Sequence, residues 1–263
     1  MLLPVDDFGA AVLPTVLQLA AAVGGRVDLV AVGDRHALRC YDKGHGSEGR
    51  GRLETRLERV AARFREECDA AGAEGSTFVR VGRDLLYVLL DVQQHVEGGM
   101  VVQPHRQADR TSLTVSRATG MDVLLLHHER RPVSLGTTVA VRMVDAKDLP
   151  TLQLAARVAA AYEGRLQIVA CGLPRQEARL IEGAQRLAET VTDCPVDVVP
   201  IAAVDSNSTA LVGHLYDAQV SLFICGTSAD TAADHSLDKT QPALVSSAFL
   251  VRHCPSAMLL RSS

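Results

Sequence analysis

The sequence predicts an α/β protein with two Rossmann-like domains in tandem, each a five-stranded parallel sheet covered by helices. Three observations predict this fold class. The chain of 263 residues has room for two units of about 130 residues each. Residues 6–33 match residues 145–172 without a gap. Within each half, short apolar runs alternate with stretches of helical periodicity, which is the pattern of a parallel sheet with crossover helices.

The internal repeat is visible when the sequence is shifted so that Asp6 falls on Asp145. An Ala-rich helix alone can match by chance, but this match also includes the aspartate before the helix and a Gly-Arg pair after it. The repeats predict a first domain at 1–130 and a second at 137–263. The segments that coincide under this shift are 20–22 with 159–161, Gly25-Arg26 with Gly164-Arg165, and Val30-Ala31 with Val169-Ala170.

Helices are predicted where apolar residues recur every three or four positions, and strands where short apolar runs lie between turn residues. Gly25 and Gly164 are expected at helix ends, where a turn needs positive φ. Residues 41–51 contain four glycines and predict a flexible loop that the second repeat lacks. The predicted strands are 2–5, 27–32, 77–81, 100–102 and 123–127 in the first repeat, and 139–144, 166–171, 196–201, 220–225 and 257–260 in the second.

Composition excludes several classes of protein. A hydrophobic fraction of 47% with a formal net charge of −4 describes a globular chain without the basic field that binds nucleic acid. No apolar run reaches the roughly 18 to 20 residues that span a bilayer, and no signal peptide precedes the first strand, so a cytoplasmic, not membrane-inserted, protein is expected. The six cysteines form no CxxC pair.

Three segments resemble the universal stress protein family. They are Leu2-Leu3-Pro4-Val5-Asp6, the repeated Val144-Asp145, and the closing run from Arg252-His253-Cys254-Pro255 to Leu260. The resemblance covers the whole chain, with one family domain in each repeat, and implies adenine nucleotide alpha hydrolase-like domains. It also implies that the aspartate ending the first strand lies by the adenine, and that a loop after the fourth strand holds the phosphates.

The implied phosphate loop is degenerate in both repeats. In the second repeat Gly226 keeps the first glycine, whereas Ala229 replaces the next one and Lys239-Thr240 stands at the last pair. In the first repeat Gln103 replaces the leading glycine and the loop is shorter. If a nucleotide such as ATP binds, the second repeat is therefore expected to bind it. The implied ligand residues are Val144 and Asp145 at the base, Gly226, Thr227 and Thr240 at the phosphates, and Asp6 as the first-repeat counterpart of Asp145.

Other interpretations of these residues stay open at this point. Asp6 and Asp145 fit helix N-caps as well as they fit ligand contacts. His127-His128 follows a strand without carboxylate or cysteine at a ligand spacing, so no metal site is predicted.

Sequence motifs disfavour an enzyme. The chain has no G-x-S-x-G elbow, no Walker A sequence and no G-x-G-x-x-G fingerprint. The resemblance thus implies a non-enzymatic stress-response module that binds a small molecule or a protein. Two alternatives remain: an ATP-hydrolysing or adenylate-transferring enzyme on the same fold, and a regulatory domain related to the cytosolic tails of cation/proton antiporters. The duplication predicts a pseudo-dimer of repeats across their final strands and leaves a homodimer open.

Overall fold

A computed structural model describes residues 1–96, 99–105, 110–127, 135, 137–143, 148–172, 174–202, 208–226, 250–251 and 253–262. Strands and helices alternate along these ranges, which confirms the α/β class and the tandem arrangement. The strands are β1 (Leu2–Pro4), β2 (Asp28–Gly33), β3 (Thr77–Val81), β4 (Met100–Pro104), β5 (Asp122–Leu126), β6 (Thr138–Met143), β7 (Arg165–Gly172), β8 (Val196–Ala202), β9 (Leu222–Gly226) and β10 (Ala257–Arg261). The helices are α1 (Asp7–Val23), α2 (Arg35–His45), α3 (Gly49–Ala70), α4 (Leu85–Gln93), α5 (Arg110–Thr119), α6 (Leu149–Ala161), α7 (Pro174–Val191) and α8 (Ser208–Asp217).

The chain divides into two compact units, Met1–Gln103 and Pro104–Ser263. In the first unit the strands lie in the order β3-β2-β1-β4 and pair in parallel. In the second unit the order is β5-β10-β9-β6-β7-β8. All pairs among these six strands are parallel except β5 with β10, which are antiparallel.

The boundary between the compact units differs from the boundary between the sequence repeats because of β5. By sequence, β5 is the last strand of the first repeat, yet Leu124 pairs with Leu259 of β10, the last strand of the second. The predicted contact between the final strands of the two repeats is thus present in this antiparallel pair. The domains 1–130 and 137–263 describe the duplication of the sequence, and as structural domains they stay a prediction.

The residues at the two ends of helix α1 determine where the helix begins and ends. Asp6 has an extended backbone and caps the first turn, and Gly24 ends the helix in the left-handed region at φ 65°. Gly25 then donates its N–H to the Ala20 carbonyl at 2.7 Å, which completes a Schellman-type end. The expectation of positive φ at Gly25 and Gly164 is therefore wrong by one position: Gly24 and Glu163, at φ 51°, take that conformation.

The glycine-rich stretch 41–51 is helical, contrary to the predicted loop. Asp34 caps α2 by accepting the Ala37 N–H at 2.7 Å, and α2 runs to His45. A short 3₁₀ turn then leads into α3. Capping and contacts between α2 and α3 outweigh the helix cost of these glycines, which is about 1 kcal/mol each.

The pairing register differs by one residue between the repeats. Leu3 pairs with Leu29 in the first unit. Its counterpart in the gapless repeat, Arg142, pairs with Val169 and not with Ile168, the counterpart of Leu29. Because a shift of one residue turns a strand side chain to the other face, Arg142 takes the position in the sheet that Pro4 takes in the first unit.

The core is aliphatic, as the low aromatic content predicts. All five residues of β9 are buried, and Val123, Leu124, Leu125 and Leu126 of β5 are at most 3% exposed. Strands buried on both faces are typical of parallel sheets covered by helices. In the described residues, no helix combines the length and the apolar character required to span a membrane.

Candidate ligand-binding site

The second unit has a topological switch point between β6 and β9. From β6 the chain continues to β7 on one side, whereas β9, which comes later, lies on the other side. Open α/β sheets bind their ligands in the crevice that such a reversal leaves at the carboxyl ends of the strands. The candidate site of this unit is therefore the carboxyl edge of β6 and β9.

Gly226 ends β9 at this edge and is buried. Val141 of β6 pairs with Ile224 of β9, and each strand continues two residues beyond this pair, to Met143 and Gly226. The structure thus places Gly226 next to the end of the first strand of its repeat. The resemblance implied that Gly226 and the end of this strand belong to one nucleotide site, and the binding role of Gly226 stays a prediction.

Arg142, the penultimate residue of β6, lies at the same edge and is 2% exposed. Its Nη2 donates a hydrogen bond to the Gly226 carbonyl oxygen at 3.0 Å. Among the residues whose burial the structure describes, Arg142 is the one lysine or arginine that is buried. A buried guanidinium costs several kcal/mol unless hydrogen bonds or negative charge compensate it, and the bond to the Gly226 carbonyl oxygen supplies part of that compensation.

Arg142 was not among the site residues predicted from the sequence. The signal was a single cation in an otherwise apolar run, Val139-Ala140-Val141-Arg142-Met143-Val144. Such a residue has to be buried with its strand or has to reach the strand end. A second charged side chain missed by sequence reasoning is Asp148, which is 7% exposed and directly precedes α6.

Asp6 is the helix cap that one interpretation of the sequence predicted. Its Oδ1 accepts the Gly9 N–H at 2.7 Å. The cap satisfies one of the N–H groups that the first turn of a helix leaves without a partner. A ligand contact by Asp6 stays a prediction. Val144, Asp145, Thr227 and Thr240 lie outside the described residues, and their roles in binding stay predictions as well.

The corresponding edge of the first unit has different chemistry. There the switch point lies between β1 and β4, where Leu2 pairs with Val101. Gln103, in the position expected for a glycine, is 7% exposed near the end of β4. A side chain therefore occupies this edge of the first unit, whereas in the second unit Gly226 has none.

Two histidines that the sequence left apart meet in the second unit. The rings of His105, after β4, and His127, after β5, stack with centroids 4.0 Å apart and planes inclined by 26°. This is a contact between ring faces, and a pair of histidines is two ligands short of a four-coordinate zinc site. Within the described ranges, no three His, Cys, Asp or Glu side chains converge on a point that suits a metal ion.

Comparison with solved structures places this geometry among known folds. A universal stress protein from Archaeoglobus fulgidus DSM 4304 aligns over 99% of this chain and 95% of its own, with a TM-score of 0.68 and 16% identity. A protein of unknown function from Pseudomonas aeruginosa PAO1 aligns over 99% of this chain and 91% of its own, with a TM-score of 0.59 and 14% identity. The chain has the tandem universal stress protein fold.

The universal stress protein fold is not confined to stress proteins among the similar structures. The cytoplasmic domain of a prokaryotic cation chloride cotransporter aligns over 98% of this chain and 93% of its own, with a TM-score of 0.53 and 13% identity. No family model matches the sequence, and no curated protein does either. At these identities the likeness concerns the fold, and function has to be argued from the site.

Proposed function

We propose that the chain is a non-enzymatic, cytoplasmic, stress-response regulatory module of the universal stress protein type. It binds an adenine nucleotide at the crevice of the second repeat and responds to it. The observation that carries this proposal is the contact between Arg142 and the Gly226 carbonyl across the β6–β9 switch point. It joins a fixed positive charge to a glycine that ends a strand, at the edge where α/β sheets bind ligands.

Three features support binding in the second repeat. Gly226 allows backbone to approach a ligand that a side chain would hold away. The guanidinium favours an anion such as a phosphate. Asp145 ends the first strand of the repeat in the sequence and is the proposed base contact. The loss of two glycines after Gly226 predicts weak affinity, which suits a sensor of nucleotide concentration.

Native mass spectrometry of freshly purified protein is the first test, followed by a thermal shift titration with ATP. The proposal predicts a bound adenine nucleotide or an ATP-dependent rise in Tm that Asp145→Ala removes. Asp6→Ala is the matched control: it lowers the Tm without ligand, because it removes a helix cap, but it leaves the ATP-dependent rise intact. An apo mass together with no shift in millimolar ATP contradicts nucleotide binding.

The same samples distinguish a binding module from an enzyme. A regulatory module shows no hydrolysis of ATP above buffer. Turnover that falls sharply in the Asp145→Ala variant would instead support an ATP-hydrolysing enzyme on this fold and would overturn the non-enzymatic part of the proposal.

The likeness to a cotransporter domain favours a second candidate function, the regulation of a membrane transporter as a soluble partner. This candidate predicts that the tagged protein recovers a cation transporter from detergent-solubilised membranes of its native host. Recovery of no membrane protein by the wild-type chain contradicts it. The transporter interaction and nucleotide binding are compatible, since a nucleotide can change the affinity for a partner.

A further inference from the structure

We infer that Cys40, together with His36, is a redox modification site at which the chain forms a mixed disulfide with an anionic low-molecular-mass thiol such as glutathione. The site lies on α2 of the first unit and does not depend on nucleotide binding in the second repeat. In the second repeat β7 ends at Gly172 and α7 begins at Pro174, which leaves no room for a helix of this length. One such site per chain is therefore expected.

A thiol and a base lie side by side on this helix. Cys40 is exposed, and its Sγ lies 3.8 Å from Nε2 of His36, one turn earlier. An imidazole takes up and releases protons near neutral pH, and the thiolate is the form of cysteine that attacks a disulfide. A base at this distance can take the thiol proton, so the pair has the arrangement of an activated nucleophile.

The pair lies on the side of α2 that faces away from α3. An arginine of α3 donates a hydrogen bond to the Tyr41 hydroxyl at 2.7 Å, and another lies 3.4 Å from His45 Nδ1, so these two residues mark the packed side. Because an α-helix has about 3.6 residues per turn, His36, Cys40 and Lys43 lie on the other side. All three are exposed, and none of the residues of α2 is buried. A molecule of the size of glutathione disulfide can therefore reach the Cys40 thiol.

Positive charge surrounds this thiol. Arg39 directly precedes Cys40, and Lys43 lies about one turn further along the helix. The one carboxylate of α2 belongs to Asp42, which packs against Gly49 at the start of α3. A field of this sign raises the local concentration of anions, and glutathione disulfide is an anion because its carboxylates outnumber its amino groups. The site therefore favours it over a cationic disulfide such as cystamine.

The reaction is a thiol–disulfide exchange. His36 Nε2 takes the proton of the Cys40 thiol, and the thiolate attacks one sulfur atom of glutathione disulfide. The bond from Cys40 Sγ to that sulfur forms as the bond between the two glutathione sulfurs breaks. The second glutathione leaves as a thiolate and takes the proton from the imidazolium. Cys40 is oxidised and the departing glutathione is reduced, so an excess of reduced thiol reverses the modification.

Timed incubation of the native full chain with glutathione disulfide, quenched with acid and followed by peptide mass spectrometry, tests the inference. We expect one glutathione per chain, attached to Cys40 and removed by a reducing thiol. Its rate should be about tenfold higher than at the partly exposed Cys194, which follows the exposed Asp193. Equal rates at the two cysteines overturn the inference.

His36→Gln tests the base. At pH 7 we expect this variant to react about fivefold more slowly at Cys40, whereas at about pH 9.5, where a thiol ionises without help, it should match wild type. His45→Gln is the matched control, because it removes a histidine from the packed side of the same helix and should leave both rates unchanged. If the two variants are slowed equally, or if His36→Gln is slowed equally at both pH values, His36 is not the base and the inference is wrong.

Lys43→Glu tests the charge. This substitution should slow the reaction of Cys40 with glutathione disulfide and accelerate its reaction with cystamine, and added salt should reduce both effects. A ratio of the two rates that stays at the wild-type value overturns the preference for an anionic thiol. These measurements use no nucleotide, so their outcome is separate from that of the proposed function.

Discussion

Gly9, in the first turn of α1, is a position where the fold tolerates no side chain. A Cβ atom built there collides with the Pro4 carbonyl oxygen at the end of β1. We expect Gly9→Ala to lower the free energy of unfolding by about 1 to 3 kcal/mol, since α1 has to move away from the sheet. Urea denaturation followed by circular dichroism measures the change.

Gly51 provides the control for this substitution. It lies on the exposed side of α3, and a Cβ atom there meets nothing within 4 Å. Gly51→Ala should raise the free energy of unfolding by about 0.5 to 1 kcal/mol because alanine has the higher helix propensity. If both substitutions stabilise the protein, α1 does not approach β1 as closely as described.

Asp28 is a fully buried carboxylate at the start of β2. Its Oδ1 accepts hydrogen bonds from Arg26 Nη2 at 2.9 Å and from the Ser76 backbone N–H at 2.7 Å. It therefore holds the segment before β3 against β2. We predict that Asp28→Ala lowers the free energy of unfolding by about 1 to 3 kcal/mol, because the part-buried Ser76 N–H loses its acceptor and the buried side chain leaves a cavity.

Asp28→Asn separates hydrogen bonding from charge. The asparagine oxygen can still accept the Ser76 N–H but offers Arg26 no negative charge. Arg26 is 55% exposed, so water replaces that contact and we expect a loss smaller than that of Asp28→Ala. Equal losses would show that the charge, and not the hydrogen bond to Ser76, is the important part.

At the scale of single elements, the β5–β10 pair contains a carboxylate whose pKa changes on folding. Asp122 begins β5, and burial raises its pKa, against the opposing effects of the Ser262 N–H and Arg261. The folded state then binds the proton more tightly than the unfolded state. The charged carboxylate of Asp122 therefore destabilises the fold above its folded pKa, and this penalty disappears as the pH falls through that value.

Asp122→Asn removes the titration and keeps an oxygen that accepts the Ser262 N–H, 2.9 Å away in the wild type. The stability of this variant relative to wild type should be higher at pH 7 than at about pH 4, close to the unfolded pKa of an aspartate. Denaturant unfolding at the two pH values measures this difference. The exposed Asp217→Asn substitution serves as the control, and an identical pH trend in both variants would argue against burial as the cause.

Elements also show where sequence reasoning succeeds. Strands such as β3, predicted and observed at 77–81, were correct because a short apolar run between turn residues has few alternatives. The helical stretch after Asp34 was not predicted because glycines lower the helix propensity of this segment. In the structure an N-cap and packing against α3 compensate for that low propensity. Tertiary contacts of this kind are absent from a local pattern.

At the scale of the whole molecule, cysteine reactivity reports on the packing. Cys40 is exposed, whereas Cys68, Cys225 and Cys254 are buried. Burial also raises the pKa of the Cys68 thiol and leaves less of the reactive thiolate. Native protein should thus react rapidly at Cys40 with a thiol reagent and at the three buried positions only on unfolding.

Mass spectrometry after timed labelling identifies the modified cysteines and distinguishes Cys40 from Cys194, which is partly exposed. Cys40→Ser should remove the rapid modification at position 40. Rapid modification of Cys225, in the centre of β9, would contradict the burial of the second sheet.

The duplication, the class of fold and the place of the crevice all follow from the sequence, because periodicity and repetition are local to it. Arg142 does not, since its importance depends on which strand lies beside β6. The pairing of β5 with β10 is intermediate: duplication indicates that the final strands meet, but antiparallel direction and register come from the folded chain.

This strand pair has a consequence for the fragments of a split protein. A fragment 137–263 keeps β10 but loses β5, so one edge of its sheet presents unpaired N–H and C=O groups. Two identical edges can pair antiparallel about a twofold axis, so the fragment should self-associate through β10, and light scattering should show twice its mass.

Adding a fragment 1–130, which supplies β5, should convert that dimer into a heterodimer, so that complementation of the two pieces competes with self-association. A fragment that stays monomeric at high concentration would show that β10 needs more than a free edge to find a partner.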